Sequence, residues 1–83
     1  MEQKDRALIG MLENMLKGAE QLVESARREY AEVSKPESEK YPIRDLYYEN
    51  LRYFIGNRDG ISHTLKNIRK YYFEFDAKQE VTA

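Results

Sequence analysis

Between Tyr47 and Phe75 the chain reads YYENLRYFIGNRDGISHTLKNIRKYYFEF. Tyr47, Leu51, Phe54, Ile61, Leu65, Ile68, Tyr72 and Phe75 recur at steps of three or four, with one gap that Arg58 fills in phase. At about 100° per residue these positions share roughly one third of a helix circumference, which predicts a long amphipathic helix with a buried seam. A charge therefore stands where the seam takes an apolar group. Gly56 and Gly60 each cost up to about 1 kcal/mol relative to Ala inside a helix, and Asn57 and Asp59 are turn formers. Propensity thus argues for a break. Phase argues against it, because an inserted turn rotates Ile61 to Phe75 off the line of Tyr47 to Phe54. One continuous helix over residues 42–76 is the expectation.

Toward the amino terminus the same logic repeats. Leu8, Leu12, Met15, Ala19, Leu22, Ala26, Tyr30 and Val33 form a series of fours and threes, with Met11, Leu16 and Val23 flanking it and Ile9 at its edge. This predicts a first helix over residues 3–34 whose apolar arc is wider than a two-stranded seam and suits more than one neighbour. Residues 35–41 are polar, lack an apolar period and, with the flanking Pro42, include both prolines, so they read as a connector. Pro42 suits the first position of the second helix, where a missing N–H costs nothing. Beyond Asp76 the pattern stops, and residues 77–83 are expected to fray.

Two long helices joined by a short polar loop make an antiparallel all-α hairpin. Neither arc is covered by the other alone, so the hairpin is expected to pair with a copy of itself as a four-helix homodimer. The 83 residues make one domain, and the absence of Cys removes disulfides and thiolate metal sites. An amino terminus with charges of both signs, and no apolar run of spanning length, points to a soluble cytoplasmic protein without a membrane partner. Net charge is -1 with acidic and basic residues interspersed. Arg58, Lys66, Arg69 and Lys70 form only a weak basic cluster beside Asp59 and Glu74, so nucleic acid is not an expected partner. With a single His, no Glu-x-x-His pair and no phosphate-binding glycine loop, neither a metal nor a cofactor is expected.

Two readings of function follow. The run Arg58-Asp59-Gly60-Ile61-Ser62-His63 resembles the R-x4-6-H motif of the HEPN superfamily of helical ribonucleases. That resemblance implies metal-independent RNA cleavage, with Arg58 binding phosphate, His63 assisting proton transfer and Asp59 as the polar companion. Read by position alone, Arg58 fixes helix register by pairing with a carboxylate such as Glu29 or with a symmetry mate. His63 is then an exposed residue one turn from Asp59. The other reading rests on Leu46, Tyr53 and Tyr71, which lie opposite Leu51 with Gly56, Gly60, Thr64 and Asn67 between them. Tyrosines around a small-residue notch make a docking surface, because aromatic side chains carry much of the energy of protein interfaces. A protein-binding module of the adaptor, regulator or inhibitor kind, of the sort that phages and mobile elements carry, is the expected function. Its partners are a second copy of itself and another, unidentified protein.

Overall fold

The computed structural model describes the backbone of residues 3–82 and the side chains of residues 3–72. Two helices account for nearly all of it: α1 over Gln3–Val33 and α2 over Arg44–Thr82, with a single 3₁₀ turn at Tyr41–Ile43 leading into the second. They lie side by side as an antiparallel hairpin. Glu13 and Arg69 form an ion pair across it at 2.6 Å, and Val23 and Ala26 meet Leu51 nearer the connector.

The connector is built from short-range backbone hydrogen bonds. The Ser34 amide closes the last turn of α1 onto the Tyr30 carbonyl at 3.0 Å. The amides of Ser38, Tyr41 and Ile43 then donate to the carbonyls of Lys35, Ser38 and Lys40. Pro42 consequently sits inside the 3₁₀ turn and α2 begins at Arg44, two residues later than expected. The physical reason is the three-residue step of these bonds, which tightens the chain before the four-residue ladder takes over. Arg44 fastens the junction by donating to the Tyr41 carbonyl at 3.0 Å while its guanidinium stacks over the Tyr41 ring. At the other end α2 runs past Asp76 to Thr82. The apolar period stops there but the helix formers do not, and no Gly or Pro stands in 77–82 to end it.

Through Gly56 to Gly60 the helix is unbroken, and none of the glycines has a positive φ. The seam holds it. Leu51 and Leu65 are buried, Phe54, Ile61 and Ile68 are partly so, and all lie on one line as the phase required. On α1 the seam is displaced from the expected one. Ile9, Leu12, Leu16, Ala19, Val23, Ala26, Tyr30 and Val33 face α2, whereas Leu8, Met15 and Leu22 stand about half exposed beside them. The arc was wide enough to hold two parallel lines, and α2 covers only one. Ala19 and Ala26 at the contact allow the helix axes to approach closely.

A single layer of contacts makes an open molecule. The hairpin measures 67 × 18 × 13 Å, and its radius of gyration is 19.1 Å; a compact chain of this length has about 12 Å. It exposes 6765 Å², about 1,500 Å² more than the roughly 5,200 Å² of a compact monomer of its mass. Among the described residues no helix is long and apolar enough to cross a membrane. A Cβ added at Gly56 meets nothing within 4 Å. Gly56→Ala should therefore raise the unfolding free energy by about 1 kcal/mol, the helix-propensity difference, read from the urea midpoint at constant slope.

Candidate functional site

Because α2 is continuous, the positions of Arg58 and His63 follow from helix geometry. Five residues turn the helix by about 140°, so the two side chains leave it on different sides. Arg58 lies in the seam, partly covered, and donates to Asp59 through Nε at 3.1 Å and an η nitrogen at 3.0 Å. Neither the expected bond to Glu29 nor the Asp59–His63 pair forms. The guanidinium finds its own neighbour first, which leaves His63 to meet Asn67 at 3.2 Å on the exposed side. The structure does not bring Arg58 and His63 into one groove.

Leu46, Tyr53 and Tyr71 are 62%, 70% and 62% exposed. They share one flank of α2 with Asn57, Gly60, Thr64 and Asn67, and the Thr64 hydroxyl is turned back onto the Gly60 carbonyl at 3.0 Å. That back-bond engages the hydroxyl within the helix itself. Tyr53 packs edge-on against Phe54, with ring centroids 5.6 Å apart, which ties the exposed ring to the seam.

This flank does not end at α2. Leu8 lines a shallow groove with Thr64, Asn67, Ile68 and Tyr71, and Leu12 lines a second one with Gly56, Asn57 and Gly60. Leu8, Met15 and Leu22, with Met11 one step outward, therefore continue the tyrosine flank across the hairpin. Of the nine exposed large hydrophobic residues described, seven lie on this side: Leu8, Met11, Met15, Leu22, Leu46, Tyr53 and Tyr71. The opposite side is charged. It carries the Glu13–Arg69 pair, the Glu24–Arg28 pair, Arg52, Asp59 and Lys66. Exposed pairs of this sort add little to stability but keep that side wet.

Sequence reasoning found the α2 half of the face and missed the α1 half, having assigned Leu8, Met15 and Leu22 to the seam. The signal was present in the one-residue offset between Leu8, Met15, Leu22 and Ile9, Leu16, Val23. A third groove lies at the connector end, lined by Glu29, Glu32, Glu39, Lys40 and Tyr47 among others. Beside it Lys35 bonds Glu32 at 3.0 Å, and this contact raises the pKa of the ammonium above its ordinary value. Among the described residues no three His, Asp or Glu side chains converge as metal ligands.

In comparisons with protein-family models, curated proteins and solved structures, nothing matches this chain. Its class is accordingly given by the fold alone: an all-α helical hairpin with one charged side and one apolar side.

The seam position of Arg58 makes a direct test. Arg58→Leu should leave the unfolding free energy, read from the urea midpoint at constant slope, unchanged or raise it by about 1 kcal/mol, since a hydrophobe matches the seam and Asp59 remains solvated. A variant that fails to fold would show that the guanidinium is a structural requirement.

Proposed function

We propose that this chain is a small protein-binding module that works through the apolar side of the hairpin, and that it assembles as a homodimeric four-helix bundle. The observation that carries the reading is the collection of seven exposed large hydrophobic residues on one side of two helices. Scattered singly, such residues are ordinary; gathered on one face they mark an interaction surface. The excess exposure of about 1,500 Å² per chain compares with roughly 800 Å² per partner in a standard protein interface, so there is ample surface for one.

The chemistry of the face suits helices from another chain. Leucine, methionine and tyrosine provide large contact areas, and Met adapts its shape to the surface it meets. Tyr53 and Tyr71 are separated by five helical turns, about 27 Å, which is the reach of a protein surface and not of a small-molecule pocket. A second hairpin laid on this side closes the core that one hairpin leaves open. Adaptors, regulators and inhibitors act in this manner, by occupying a surface of another chain. Since the same face serves self-assembly and a foreign partner, the two are mutually exclusive.

Light scattering tests the proposal. The wild type should have twice the 9.9 kDa mass of the chain at micromolar concentration. Tyr53→Ala and Tyr71→Ala should each weaken association by about 1–3 kcal/mol, a shift of roughly 5- to 150-fold in the concentration of half-dissociation, with helical content retained when assembled. A wild type that stays at 9.9 kDa up to millimolar concentration contradicts the homodimer.

A further inference from the structure

The order of residues along the apolar side adds a geometric requirement that exposure alone does not supply. On α2 the side reads, outward from Ser62 in both directions, Gly60 and Thr64, then Asn57 and Asn67, then Tyr53 and Tyr71. Small matches small, amide matches amide and phenol matches phenol. On α1 the same holds about Met15, with Leu8 and Leu22 at equal distances on either side. The antiparallel pairing brings these two centres together. Leu8 lies beside Ile68, and Val23 and Ala26 lie against Leu51, so Met15 falls at the level of Ile61 and Ser62. One line drawn across the hairpin at that level bisects both patterns.

A surface that reads alike in both directions about one line suits an isologous contact, because residue i then meets a residue j of its own kind on the copy: aliphatic on aliphatic, amide on amide, phenol on phenol. We infer that the second copy lies on the apolar side with its two-fold axis perpendicular to the helices at the level of Met15 and Ser62. This sets α1 against α1 and α2 against α2 of the second copy, each pair antiparallel. The inference rests on the homodimer proposed above and specifies how it is built.

Three consequences favour this arrangement over the other two-fold, which runs along the helices and sets α1 over α2 of the copy. Asn57 is placed level with Asn67 of the second copy, where each amide has both a donor and an acceptor to offer the other. The alternative leaves levels unchanged and sets Asn57 at the level of Ala19 of the copy, between Met15 and Leu22, where the amide has no partner of its kind and loses a hydrogen bond. Leu8 and Met15 are placed against Leu22 and Met15, so the aliphatic residues of α1 close a core together. Finally, reflection about Ser62 carries residue 44 onto residue 80, so α2 overlaps its copy across almost all of Arg44–Thr82. Gly60 beside the axis, where an added Cβ finds nothing in its own chain within 4 Å, lets the two α2 helices draw close.

The chain has no Cys, so single-cysteine variants report contacts cleanly. Facing helices lie about 8–10 Å apart, beyond the ordinary reach of a disulfide, and a short bismaleimide is the appropriate probe. Full-length Met15→Cys should crosslink to its own twin, because it stands on the axis. Tyr53→Cys and Tyr71→Cys should each fail to crosslink alone and should join efficiently when mixed. Gly60→Cys mixed with Thr64→Cys reports the same axis should Met15→Cys weaken assembly. A dimer in which Met15→Cys joins Thr64→Cys, and not itself, overturns the inference while leaving the homodimer standing. A chain that light scattering finds monomeric throughout overturns both.

Discussion

Two helices in contact along one line can each hide only a narrow stripe, and both helices of this hairpin carry more apolar surface than one stripe. That constraint governs the rest of the structure. α1 gives its Ile9-to-Val33 line to α2 and is left with Leu8, Met11, Met15 and Leu22. α2 gives its Tyr47-to-Tyr72 line to α1 and is left with Tyr53 and Tyr71. The remainders fall on the same side because antiparallel pairing sets like flanks together. A hairpin with one charged side and one apolar side is the outcome, and the apolar side is the surface on which the proposed second copy would close the core.

The seam itself tolerates three imperfections that local rules count against it. Gly56, Gly60 and Arg58 lie in or beside the middle of α2, where each opposes a continuous, dry helix. Packing of Leu51, Phe54, Ile61 and Leu65 on both sides outweighs the glycines, since tertiary contact contributes more to helix stability than propensity does. Arg58 keeps its stem along the seam and turns its head to Asp59, the behaviour of a long charged side chain at an apolar border.

The fold class was legible in the sequence because period and phase are properties of one helix at a time. The α2 seam, the unbroken passage through Gly56 to Gly60 and the exposure of Leu46, Tyr53 and Tyr71 all follow from counting along a single segment. What could not be counted was which of two adjacent lines on α1 the partner would take. Leu8, Met15 and Leu22 differ from Ile9, Leu16 and Val23 by one residue and scarcely in hydrophobicity, and pairing with α2 decides between them. The same limit applies to Arg58 and His63. Their spacing resembles a cleavage motif, yet a continuous helix turns them apart. The start of α2 was misplaced for a local reason, as Pro42 suits a 3₁₀ turn as well as an α-helical first turn.

The central claim is that the core of this protein is not closed within one chain. The dependence of the thermal midpoint on protein concentration tests it most directly, because a protein that folds as it assembles is stabilised by mass action and one that folds alone is not. The account predicts a midpoint that climbs steadily as concentration is raised from the low micromolar to the millimolar range. A midpoint that is cooperative and constant across that range would contradict it.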